Sequence, residues 1–165
     1  MDSPSYTVTV RPATPDDAEY VRSVLIASWD STKVVAHGEL IDAAECPTLI
    51  AEADGIAAGV LTYRIDERGL EVVSIDSQLT GTGVGTSLLA AAADVGRARG
   101  VHRLWLITTN DNTGSMRFYQ RRGLDLVALY RDAVAESRKL KPEIPLRGAH
   151  GIPIRHEIEL ELPLA

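Results

Sequence analysis

Apolar and polar residues first alternate at positions 6–11, where Tyr6, Val8 and Val10 interleave with Thr7, Thr9 and Arg11. That period of two, with β-branched residues, predicts a strand. Thr14-Pro15-Asp16-Asp17 then carries helix-start chemistry: a capping hydroxyl, a proline at the first turn and two acids for the dipole. The spacing of Ala18, Val21, Leu25 and Trp29 predicts one apolar face of the helix that follows. Over residues 30–46 the pattern weakens. Val34, Val35, Leu40 and Ile41 give only a faint helical period around Gly38.

From residue 48 the pattern returns to strands. Residues 48–53, 56–65 and 70–75 form three strand-like runs, joined by the hairpin signal Asp54-Gly55 and by Glu67-Arg68-Gly69. They predict an antiparallel meander. A glycine-rich loop at 80–85 leads into a helix that runs to Arg99 and stops at Gly100. A strand over 101–108, a short helix ending at Gly123 and a strand over 124–130 follow. Residues 131–153, with Pro142, Pro145 and Pro153, read as a long ordered loop or short helix. In 154–162, Ile158, Leu160 and Leu162 alternate with Glu157, Glu159 and Glu161, which predicts a last strand with one polar face. The order is that of a mixed α/β sheet.

The 165 residues suit one domain, and 45% apolar with 24% charged residues is ordinary globular usage. A net charge of −6, from 17 basic and 23 acidic residues, argues against a nucleic-acid partner. No run of about 20 apolar residues offers a membrane span. The start, Met1-Asp2-Ser3-Pro4, lacks the features of a signal peptide. The single cysteine, Cys46, excludes an intrachain disulfide and a cysteine-rich zinc site. These features lead us to expect a cytoplasmic protein. The four histidines lack metal-ligand spacing, so no metal is expected.

The chemistry centres on Thr80-Gly81-Thr82-Gly83-Val84-Gly85-Thr86, set between a strand and a helix. Glycines let backbone approach a ligand, and free N–H groups at a helix start attract an anion such as pyrophosphate. A glycine cluster is also what a plain turn uses. A P-loop would need a lysine before Thr86, and a dinucleotide fold an acid at the end of the next strand. Neither is present.

Asn110-Asp111-Asn112, Phe118-Tyr119 and Arg121-Arg122-Gly123 complete the pattern. Together with the loop, they make residues 6–131 resemble the GCN5-related N-acetyltransferase superfamily. The superfamily's two loop glycines fall on Gly83 and Gly85; its leading Gln or Arg falls on Thr80. The resemblance implies a mostly antiparallel sheet of about seven strands with helices on both faces, and acetyl-CoA as cosubstrate. It implies that Gly81, Thr82, Gly83, Val84, Gly85 and Thr86 bind the pyrophosphate. Val73, Ser74 and Ile75 would pair with the pantetheine arm, as an added strand pairs with a sheet edge. The cofactor would enter a splay between that strand and the 101–108 strand. Asn112 would hold the arm, cap the next helix, or do both. The acceptor would be a small-molecule or peptide amine, and a homodimer is compatible with the resemblance.

By the same resemblance Tyr119 is the general acid, a phenol still protonated at neutral pH, unless it is only a packed aromatic. Some relatives carry a glutamate on the strand before Asn112; Leu106-Ile107-Thr108 has none. Glu71 is the best substitute as base, with Asp76 and ordered water as alternatives. Glu71 could equally be an exposed charge at a strand start. The basic run Arg138-Lys139-Leu140-Lys141 is open to a phosphate, an acidic ligand or solvent alone. Residues 150–154 would form one wall of the acceptor pocket, and Trp29 with residues 30–46 the opposite wall. Two rival functions remain: a non-catalytic acyl-CoA-binding module, and a nucleotide-binding α/β protein.

Overall fold

A computed structural model describes residues 5–165. Residues 1–4, on which the signal-peptide expectation rests, lie outside it. A seven-stranded sheet has the order β1-β4-β5-β6-β7-β9-β8. Its strands are β1 (Val8–Pro12), β4 (Thr48–Ala53), β5 (Ile56–Asp66), β6 (Gly69–Ser77), β7 (Arg103–Thr109), β8 (Asp125–Tyr130) and β9 (Glu157–Pro163). Every adjacent pair is antiparallel except β6 and β7. The expected meander is β4-β5-β6, and the Asp54-Gly55 turn places both residues at positive φ.

Helices cover both faces. On one, α2 (Val84–Ala98) and α3 (Thr113–Arg121) pack over the sheet; Leu88, Leu89, Ala92 and Tyr119 meet Leu61, Leu70, Leu104 and Leu160. On the other, Val21, Val24 and Leu25 of α1 (Ala18–Trp29) meet Ile50, Val60 and Val73. A short 3-10 turn over Pro15–Asp17 leads into α1, and the Thr14 amide donates to the Asp17 carboxylate at 2.7 Å.

Residues 30–46 depart from the expected helical pattern. They form a separate hairpin, β2 (Lys33–Ala36) and β3 (Glu39–Asp42), then a 3-10 turn. The reversal is His37-Gly38, both at positive φ, which matches the twist of the flanking strands. Val34 and Ile41 are register partners and point together into the α1 core. Within residues 131–153 a real helix stands, α4 (Ala133–Leu140). The expected polar face of β9 is also buried: Glu157 is 2% exposed and Glu159 8%, because the second face of the sheet is covered here as well. Among the described residues no helix is long and apolar enough to cross a membrane.

Candidate active site

β6 and β7 are joined by only two register pairs, Leu70 with Leu104 and Glu71 with Trp105. Beyond these the strands part. β6 also carries a bulge: Thr62 pairs with Ser74 and Tyr63 with Val72, so Val73 is the extra residue. The parting leaves a cavity of about 150 Å³. Val73, Ser74 and Ile75 line one side, Leu106, Ile107 and Thr108 the other, and Asn112 and Tyr119 close it. The splay expected from the sequence is therefore present, with β6 residues free of a β7 partner after Glu71.

A second cavity, of about 380 Å³, opens at the glycine loop and is lined by Gly81, Gly83, Val84, Gly85, Thr86 and Arg122 among others. Gly81 and Gly83 have positive φ, which only glycine adopts without strain. The first intrahelical bond of α2 runs from the Ser87 amide to the Gly83 carbonyl. The amides of Val84, Gly85 and Thr86 therefore lack helical partners and carry the positive end of the helix dipole. Thr82 does not face this opening; its hydroxyl donates to the Leu79 carbonyl at 2.6 Å and ties the loop together. Gly85 is small for a packing reason: a Cβ there would stand 2.9 Å from the Phe118 ring. A larger residue at Gly85 would therefore strike Phe118 before it reached a ligand.

The two cavities share Ile75, Ser115 and Tyr119, so they form one bent slot from the glycine loop to the root of the splay. Tyr119 is 7% exposed. Burial, with the nearby charge of Asp76, pushes its phenol up to about 12, so it remains a proton donor across the neutral range. Asn112 stands at the start of α3 but caps it only through its carbonyl, which accepts from the Met116 amide. Its side-chain amide donates to the Thr108 hydroxyl at 3.1 Å. That frees Asn112 from the side-chain capping role and leaves it on the cavity wall.

Glu71 is not an exposed strand-start charge. It is 4% exposed and lines the splay cavity. Burial pushes its carboxyl above the usual range, opposed by the Arg64 guanidinium, whose Nε donates to it at 2.7 Å. Arg64 also grips Glu39 of the hairpin with both terminal nitrogens, at 2.6 and 2.8 Å. Asp76 accepts from the Ser28 hydroxyl at 2.5 Å, and its carboxyl is likewise raised by burial. Its other oxygen is buried without a partner among the described residues, yet Asp76 lines neither cavity.

The wall opposite β7 is Trp29 with Val34, Val35, Ala36 and Ile41, as the expectation for Trp29 and residues 30–46 had it. Residues 150–154 do not line the cavity. They are held instead by Asn110, whose side chain bonds the Pro153 carbonyl and the Arg155 and His156 amides, each at 2.9 Å. Of the basic run, Lys139 is exposed and pairs with Glu136, and the other two cations are spent on backbone carbonyls. Arg138 donates to the carbonyls of Ile144, Pro145 and Ile154, and Lys141 to those of Trp29 and Lys33.

Two residues of this site escape the sequence reading. Glu157 lines the cavity from β9. Arg122 lies beside the glycine loop, its guanidinium 3.7 Å from the Phe118 ring centroid and its Nε donating to the Thr86 hydroxyl at 2.7 Å. Among the described residues no group of three or more His, Cys, Asp or Glu is placed to hold a metal.

Comparison with known proteins agrees with this architecture. The model of the acetyltransferase (GNAT) family matches residues 13–124. The uncharacterized protein YxbD of Bacillus subtilis (strain 168) is 38% identical over 133 residues, spanning 80% of this chain and 84% of its own. Among solved structures, the IAA acetyltransferase of Bacillus cereus ATCC 14579 matches with a TM-score of 0.70 at 20% identity, covering 96% of this chain and all of that one. A Bacillus subtilis acetyltransferase in complex with CoA matches with a TM-score of 0.68 at 18% identity, over 98% and 100% of the two chains. This chain belongs to the GNAT family of acetyltransferases.

Proposed function

We propose that the protein transfers an acetyl group from acetyl-CoA to a primary amine. The observation that carries this reading is the bent slot, in which Ile75, Ser115 and Tyr119 join the glycine-loop cavity to the parted strands. A phosphate cradle alone would suit many nucleotides. A cradle continuous with a sheet edge free to bond an amide-bearing arm suits a pantetheine thioester. The site fits the group on its own terms. The unpaired amides of Val84, Gly85 and Thr86 take the phosphates, and Arg122 supplies the cation that Thr80 does not. The free edge at Val73, Ser74 and Ile75 takes the arm, with Asn112 beside it. Acetyl-CoA supplies the activated acyl group.

Glu71 accepts the proton of the acceptor's ammonium, directly or through one water, and leaves the neutral amine that attacks. Its raised carboxyl affinity for a proton suits that task better than an exposed glutamate would. Tyr119, protonated at neutral pH, gives its proton to the departing thiolate, and the second proton, shed by the nitrogen as the intermediate collapses to the amide, restores the phenol. The bulge leaves Val73 outside the β5–β6 ladder, and its backbone amide is the donor we assign to the carbonyl oxygen as it gathers charge. The test is release of CoA thiol from acetyl-CoA on addition of amines, with the acetamide product identified by mass spectrometry. Thiol release without an amide, or tight binding without turnover for any amine, would defeat the reading in favour of an acyl-CoA-binding module.

A further inference from the structure

The sheet face beneath the hairpin holds four carboxylates in a row of charges, and three have a guanidinium. Glu71 has Arg64 at 2.7 Å; Glu159 and Glu161 share Arg103 at 2.8 and 2.9 Å. Glu157 is the exception. It is the most buried of the four, yet no cation pairs with it among the described residues. Its oxygens receive two long hydrogen bonds, from the His37 amide at 3.3 Å and the Ser137 hydroxyl at 3.4 Å. A buried carboxylate without a counter-charge has the most to gain from a cation brought beside it. Glu157 lines the cavity between the parted strands.

Apart from Thr108 and Thr109, the rest of that end is apolar and roofed. Trp29, Val34, Ala36 and Ile41 form its wall. The hairpin above is pinned at three points: Glu39 by Arg64, the Lys33 carbonyl by Lys141, and the His37 amide by Glu157 itself. The chain behind a peptide's amine, whether it follows an N-terminus or carries a lysine side chain, would have to displace this roof. A compact amine would not.

We propose that Glu157 is the anionic seat for the acceptor's cationic nitrogen, and that the acceptor is a small primary amine with an apolar body rather than a peptide or protein amine. The proposal rests on the acetyltransferase reading for the word acceptor, but the seat can be tested without turnover. The probes are benzylamine, phenethylamine and isoamylamine as acceptors, with trialanine and a lysine-containing peptide as the competing class. Two non-acetylatable molecules of one shape, N,N-dimethylbenzylamine and isobutylbenzene, differ only in charge.

Expected are acetylation of the small amines and not of the peptides, and tighter binding of the cationic probe than of its neutral counterpart by roughly tenfold or more. Glu157→Gln, which keeps size and hydrogen-bonding atoms, should erase that preference. It should raise KM for the amine by a similar factor and leave KM for acetyl-CoA unchanged. Peptides acetylated as well as the small amines, or none of the small amines acetylated, would overturn the substrate class. Equal binding of the two probes to wild type, or an unchanged preference in Glu157→Gln, would overturn the seat. Should that variant fail to fold, Glu71→Gln decides instead: the preference should persist there, and its loss would overturn the seat. Failure of acetyl-CoA to bind at all would strike the acetyltransferase reading instead, while the charge comparison would still stand or fall by itself.

Discussion

Glu71 and Trp105 face each other as the last register pair that holds β6 and β7 together. Trp105 is 1% exposed and has two guanidiniums against its ring, Arg103 at 4.9 Å and Arg68 at 5.1 Å from the centroid. The root of the cleft is therefore a buried aromatic plug, and Glu71 stands at its lip. That position makes the base role specific. In Glu71→Gln the deficit in kcat/KM should be largest near neutral pH, where the acceptor amine is still charged, and should close as pH rises and the amine loses its proton unaided. Because burial raises the Glu71 carboxyl, the wild-type rise with pH should begin above the ordinary carboxylate range. A loss that is equal at every pH would assign Glu71 to binding.

Tyr119→Phe removes one hydroxyl from a side chain otherwise packed against the sheet. Melting temperature and acetyl-CoA affinity should hardly move. kcat should fall by roughly 10²–10⁴-fold. Stopped-time assays at saturating substrates decide it; a change of less than about threefold would reduce Tyr119 to packing.

Arg122 holds a cation beside amides that already face an anion site. Arg122→Ala should weaken acetyl-CoA binding by roughly 10–100-fold, the range of hydrogen bonds to charged groups. The affinity of wild type should fall with added salt more steeply than that of the variant. Calorimetry at two ionic strengths measures both.

Gly59 lies under the start of α2. A Cβ at that position would stand 2.5 Å from Val84 Cγ1 and 2.9 Å from the Asp76 carbonyl. Gly59→Ala should cost about 1–3 kcal/mol of stability by overpacking, read from denaturant unfolding. Because Val84 begins the anion-binding turn, a loss of acetyl-CoA affinity should accompany it.

The glycine loop, the helix after it and Tyr119 were legible in the sequence because their signals are local: glycines before an apolar-periodic helix, and an aromatic on a short helix stopped by Gly123. The hairpin at residues 33–42 was not. Its turn uses His37 at a φ of 52°, where asparagine or aspartate would have announced it. Glu157 was hidden by its own pattern. Glu-Ile-Glu-Leu-Glu alternates as a half-solvated strand does, and the glutamate face is buried by the hairpin, which was unread, and by α4, read only as a long loop or short helix with no place on the sheet. Arg122 was visible within a motif, but its place beside Thr86 depends on how α3 packs against α2.

The central claim is that one slot, from the glycine loop to the parted strands, receives acetyl-CoA. Amide hydrogen exchange with and without acetyl-CoA tests it most directly. Exchange should slow at Val73, Ser74 and Ile75 and across residues 81–86, with β1 and β4 unchanged. No slowing in those two segments, or equal slowing of residues 81–86 by ATP with none at 73–75, would contradict it.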